Sequence, residues 1–106
     1  MTQAEKADRL RQLHQGGEVL LLANCWDAAS ARMLEEMGFP AVATSSAAIA
    51  NSLGYADGER ISRAEMLAAV LRISQAVQVP VSADCEGGYG ADAAGVAETA
   101  RLVIAA

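Results

Sequence analysis

Aromatic residues are scarce in this 106-residue chain, where one Trp, two Tyr and one Phe make up 4% of the whole. Basic residues are also few, eight Lys and Arg against thirteen Asp and Glu, giving a formal net charge of −5. Nucleic-acid binding draws on a basic stripe and on stacking platforms, and with neither present no nucleic-acid partner is expected. No apolar run approaches the ~20 residues of a membrane span. The N-terminal stretch from Met1 to Gln15 is charged and amphipathic, without the apolar segment of a secretory leader. These absences predict a cytoplasmic protein with no membrane partner. Cysteine is limited to Cys25 and Cys85, 60 residues apart. That spacing suits neither a disulfide framework nor a zinc knuckle, and it predicts two free thiols.

What remains is 53% apolar and 20% charged, the balance of a small, soluble globular domain. Ala7, Leu10 and Leu13 recur at helical spacing, predicting a lead-in helix over residues 3–15 that Gly16 and Gly17 stop. The run from Val19 to Ala23 reads as a strand covered on both faces. Asp27 is placed to cap a helix from Ala28 to Met37, with Gly38 as its stop. A second strand is expected from Ala41 to Ser45, then a long irregular loop from Ser46 to Arg60. Ser62 and Glu65 have capping-box spacing ahead of a helix striped by Leu67, Val70, Leu71 and Val77. Val79 to Asp84 reads as a third strand, Gly87 to Gly90 as a turn, and Asp92 onward as a final helix. Strand and helix alternate three times, the pattern of parallel βαβ units and an α/β fold.

The segment from Ser82 to Gly90 is the richest in chemistry. If its backbone stays extended through Glu86, alternation puts Ser82, Asp84 and Glu86 on one face and Cys85 on the other. Two carboxylates at a strand's C-terminal end could hold a hard divalent ion, for which Mg2+ is the best candidate. The plainer alternative is a helix cap beside a solvated acid. A rival reading comes from Gly88-Tyr89-Gly90-Ala91-Asp92-Ala93, which fits the G-x-G-x-x-G/A fingerprint of a dinucleotide-binding module. Against it, Asp84 and Glu86 would repel a pyrophosphate. Tyr89 and Trp26 are candidates for lining a pocket or for packing over a loop. His14 reads as an exposed helix residue.

Four blocks in order carry a resemblance: Asn24-Cys25-Trp26-Asp27-Ala28-Ala29-Ser30-Ala31, Thr44-Ser45-Ser46-Ala47-Ala48, Leu53-Gly54-Tyr55-Ala56-Asp57 and Asp84-Cys85-Glu86-Gly87-Gly88-Tyr89-Gly90. Together they resemble the isocitrate lyase and phosphoenolpyruvate mutase superfamily. The resemblance implies a (β/α)8 TIM barrel enzyme that is Mg2+-dependent. It would make or break a C–C or P–C bond beside the carboxylate of a small α-oxo or α-hydroxy acid, through an enolate-like intermediate. Asp84 matches the metal-site Asp, and Glu86 takes the second acidic position, where many members have Asp. Ser45 matches the serine that, with the adjacent amides of Ser46 and Ala47, cradles a substrate carboxylate. Asp57 matches the acid of the loop after strand two, and Trp26 is a candidate for the substrate pocket. Ser46 and Ala47 stand where better-known lyases have glycines.

A complete barrel needs ~250 residues, so this chain reads as its N-terminal part, about three βα units. Residues 101–106 stop in mid-helix, which predicts a piece of a longer protein. Unpaired strand edges predict self-association into a homo-oligomer. A non-catalytic half-barrel that assembles with another chain is the third reading, beside the enzyme and the dinucleotide module.

Overall fold

The computed structural model describes all 106 residues. Its elements in chain order are α1 (Gln3–Gln15), β1 (Ala23–Cys25), α2 (Ala28–Glu36), β2 (Val42–Thr44), α3 (Ser46–Ser52), α4 (Arg63–Ala76), β3 (Val81–Ser82) and α5 (Ala93–Ala105). The three strands form one parallel sheet in the order β1-β2-β3. Sequential parallel neighbours joined by helices are the repeating unit of a (β/α)8 barrel, and this α/β fold corresponds to the first three such units.

The core lies between the sheet and the helices. Cys25 and Val42 from the strands, Ile49 from α3, and Met66 and Ile73 from α4 are completely buried. Val42, Ile49, Met66 and Ile73 each contribute roughly 1.5–3 kcal/mol by leaving water. The register places Asn24 beside Ala43, and Ala43 beside Ser82, in one row across the sheet. That row is exposed or half-buried, while Cys25, Val42 and Thr44 are buried under the helices.

Three sequence expectations are corrected. The first strand does not start at Val19: only Ala23–Cys25 joins the ladder, and Val19 and Leu21 are 94% and 68% exposed. The neighbouring β2 begins at Val42, so nothing in the sheet pairs with residues 19–22. The expected loop from Ser46 to Arg60 contains a helix, α3, capped by Ser45, whose hydroxyl accepts from the Ala48 amide at 3.2 Å. The alanines of this segment favour helix once a cap starts it.

The third correction concerns the α4 cap. The Ser62 hydroxyl accepts from the Glu65 amide at 3.1 Å, but the Glu65 carboxylate takes the Tyr55 hydroxyl at 3.0 Å. The reciprocal boxes are made elsewhere, by Thr2 with Glu5 and by Asp27 with Ser30. Ser62→Ala is therefore expected to cost about 1 kcal/mol, read as a lower urea midpoint at unchanged m-value. The Tyr55–Glu65 bond should survive it.

Candidate active site

The C-terminal ends of β2 and β3 bring together residues far apart in sequence. Asp84 follows β3 and stays exposed, yet three groups hold it. Its Oδ2 accepts from the Ser46 hydroxyl at 2.6 Å and from the Ser46 amide at 3.2 Å. Its Oδ1 accepts from the Glu86 amide at 3.0 Å, and its own amide donates to the Thr44 hydroxyl at 2.9 Å. Ser46 and Thr44 are both buried. A buried hydroxyl has few rotamers open to it, so Ser46 fixes the direction of the carboxylate.

Extended backbone does not continue through Glu86, which corrects the expected alternation. Glu86 adopts a left-handed conformation with φ 51°. The Glu86 amide closes onto Asp84, and the turn redirects the Glu86 side chain toward the loop after α3. There its Oε1 accepts from the Gly58 and Glu59 amides at 3.3 and 3.0 Å, and its Oε2 from the Tyr89 hydroxyl at 2.6 Å. Asp57 Oδ1 accepts from the same Gly58 amide at 2.9 Å. Asp57 and Glu86 therefore meet at one N–H, although 29 residues separate them. Asp84 and Glu86 are linked through backbone.

The other candidates are placed as follows. Ser45 ties the end of β2 to β1 by donating its amide to the Cys25 carbonyl at 3.0 Å. Its oxygen is engaged as the α3 cap, while its O–H remains a donor. Ala47 occupies the second position of α3, where an amide has no partner in its own helix. The Trp26 ring faces elsewhere. It lines a groove of about 630 Å³ with Ile49, Leu53 and Arg72, a groove that includes none of Asp57, Asp84 and Glu86. Cys25 is buried, with its thiol donating to the Ala43 carbonyl, and Cys85 is half-buried. Burial raises the pKa of both thiols.

Electrostatics keep both key acids ionised. The Ser46 hydroxyl is the largest influence holding Asp84 below the usual carboxylate range, against a partial opposing effect of burial. The Tyr89 hydroxyl does the same for Glu86, aided by the loop amides. The Tyr89 phenol is pushed up, first by burial and then by the Glu86 charge it faces. A carboxyl whose native pKa is depressed adds stability above its unfolded value, near pH 4, and loses it as pH falls through the lower native value. Urea midpoints are thus expected to fall as pH drops from about 4 toward 2. Asp84→Asn should make that fall shallower, because one of the linked protons is gone.

Residues 10–106 match the family described as phosphoenolpyruvate phosphomutase. The chain belongs to that family. A 2-methylisocitrate lyase of Aeropyrum pernix is 34% identical over 92 residues, which are 87% of this chain and 30% of that protein. The structure of a Burkholderia cenocepacia J2315 protein provisionally assigned as a phosphonomutase superposes with a TM-score of 0.92 at 42% identity. That match covers 95% of this chain and 41% of the other. The phosphoenolpyruvate phosphomutase of Streptomyces platensis subsp. rosaceus gives a TM-score of 0.87 at 32% identity, covering 93% and 34%. The chain spans a third or less of the length of the curated relatives it matches.

Within this lyase and mutase family, the donor set here suits a hard cation. Asp84 Oδ1 and Glu86 Oε2 each accept a single hydrogen bond and keep a lone pair open, whereas Asp84 Oδ2 and Glu86 Oε1 already accept two each. Mg2+ is commonly held by one or two carboxylates plus water and substrate. No group of three His, Cys, Asp or Glu side chains converges on one point, so these residues fit Mg2+ as a partial set. The glycines of the rival fingerprint have packing reasons of their own. A β-carbon on Gly90 would lie 2.5 Å from the Val96 amide nitrogen, and the Gly88 carbonyl accepts from the Thr99 hydroxyl at 2.6 Å. No helix is long and apolar enough to cross a membrane.

Sequence reading missed Thr44 and Glu59. Thr44 signals itself only as a polar residue where alternation demands an apolar one. Glu59 follows Gly58 in an acidic turn, and nothing in the sequence points to its partner, the Tyr89 amide, at 2.8 Å.

Proposed function

We propose that this chain carries one part of the active site of a Mg2+-dependent lyase or mutase. The reaction makes or breaks a C–C or P–C bond beside the carboxylate of a small α-oxo or α-hydroxy acid, through an enolate-like intermediate. The observation that carries this reading is the constellation at the strand ends: Asp84 fixed by buried Ser46, with Glu86 turned to meet Asp57. Catalytic groups of (β/α)8 barrels gather at that end. Family membership supports the reaction class, and the relatives' names, a 2-methylisocitrate lyase and a phosphoenolpyruvate phosphomutase, support a small carboxylate or phosphonate substrate.

In this reading Asp84 and Glu86 hold the ion. Mg2+, when bound, supplies electrophilic stabilisation of negative charge developing on substrate oxygen. The Ser45 O–H, free to donate, and the Ala47 amide orient the substrate carboxylate. Ser46 acts through Asp84, because its hydroxyl and amide are both given to that side chain. Asp57, which shares the Gly58 amide with Glu86, is placed to take or position a proton.

The test is a substrate panel on the full-length protein, with 2-methylisocitrate, oxaloacetate and a phosphonate of an α-oxo acid, each with Mg2+ and with excess EDTA. Turnover of one acid class that EDTA abolishes and added Mg2+ restores is expected. Turnover indifferent to EDTA, or none on any acid, would sink the proposal.

A further inference from the structure

Two segments of the site, the turn Asp57–Arg60 and the turn Glu86–Gly90, are joined by a closed ring of hydrogen bonds. The Glu59 amide donates to the Glu86 carboxylate at 3.0 Å, the Tyr89 hydroxyl donates to that carboxylate at 2.6 Å, and the Tyr89 amide donates to the Glu59 carboxylate at 2.8 Å. All three residues have left-handed backbone, at φ 59°, 51° and 54°, and none is glycine. Such conformations persist in ordinary residues only where surrounding contacts over-determine them. Here each residue of the ring both holds and is held. The Glu59 carboxylate lies over Gly87, where a β-carbon would stand 3.2 Å from its Oε2. Tyr89 packs against the apolar core, which anchors the ring to the fold. Neither ion pair of the chain involves Asp57, Glu59 or Glu86. Hydrogen bonds alone set where the Glu86 charge lies.

We propose that Glu59 and Tyr89 are positioning residues that fix the Glu86 carboxylate beside Asp57, so that the two turns act as one unit when the site takes up its ion. This inference rests on the Mg2+ reading above. Glu59 touches neither ion nor substrate in this account and acts through Tyr89 and Glu86. Partners that orient a metal ligand typically govern affinity by about 10–100-fold.

The experiment is Mg2+ titration of the full-length protein by calorimetry, paired with amide hydrogen exchange at Gly58, Glu59 and Tyr89. Glu59→Ala is expected to weaken Mg2+ uptake about tenfold or more, and to speed exchange at all three amides together. Glu59→Gln keeps an oxygen acceptor for the Tyr89 amide and should restore most of both. Tyr89→Phe, which keeps the ring and the packing, should weaken uptake in the same direction as Glu59→Ala. Glu59→Ala with parental Mg2+ affinity would overturn the positioning role while leaving the metal reading intact. Faster exchange at Tyr89 alone would show that the bonds are independent and would also overturn it. A parent protein that takes up no Mg2+ overturns the metal reading itself, and the role of Glu59 in it.

Discussion

Asp84→Asn is expected to lower Mg2+-dependent turnover of the full-length protein by about 10²–10³-fold, with little change in folding. Asparagine keeps one oxygen that can accept from the buried Ser46 hydroxyl and amide, so those two bonds survive, while its amide nitrogen cannot accept from the exposed Glu86 amide and that bond is lost. It also removes the negative charge. Asp84→Ala should lose as much activity and also destabilise the protein by about 1–3 kcal/mol, because Ser46, only 5% exposed, is left with an unpartnered hydroxyl. Steady-state kinetics across an Mg2+ series, beside urea denaturation of both variants, separates the two effects. Parental turnover by Asp84→Asn would remove Asp84 from the site.

The second large effect lies in the turn that delivers Glu86 and Tyr89. Gly90→Ala would place a β-carbon 2.5 Å from the Val96 nitrogen and 2.6 Å from the Gly95 carbonyl carbon. Those are backbone atoms of α5, which cannot swing aside as a flexible side chain would. The turn must lift off the helix, at an expected cost of about 3 kcal/mol, or roughly 10–20 °C in Tm. Gly17→Ala is the control: nothing lies within 4 Å of a β-carbon there, and its φ is not left-handed. Its effect should stay within about 0.5 kcal/mol of zero. Thermal unfolding of both variants checks the pair, and equal Tm values would mean that the turn does not press on α5.

The helices were largely legible in the sequence because their signals are local. Asp27 caps α2 and Ser62 caps α4 where the cap residues stand, and α5 begins directly after its own cap, Asp92. The strands were less so. An apolar run such as Val19–Leu22 shows that a segment can be buried, but pairing depends on how far the neighbouring strand extends. Helix α3 was hidden among small residues with no apolar stripe to show its period. At the site, the strand-end acids could be named from type and position. The way Glu86 turns could not, because its left-handed backbone and its partners at Gly58 and Glu59 are set by contacts 27 and 28 residues away. Ser46 was read as a substrate contact, and only the fold places its hydroxyl on Asp84.

The most direct test of the central claim, that Asp84 and Glu86 hold the ion, is a crystal of the full-length protein soaked in Mn2+ and read by anomalous scattering. The account predicts one strong peak within coordination distance of the Asp84 carboxylate, reached from Glu86 directly or through water. A strong peak elsewhere, or an occupied Mn2+ site that persists unchanged in Asp84→Asn, would contradict it.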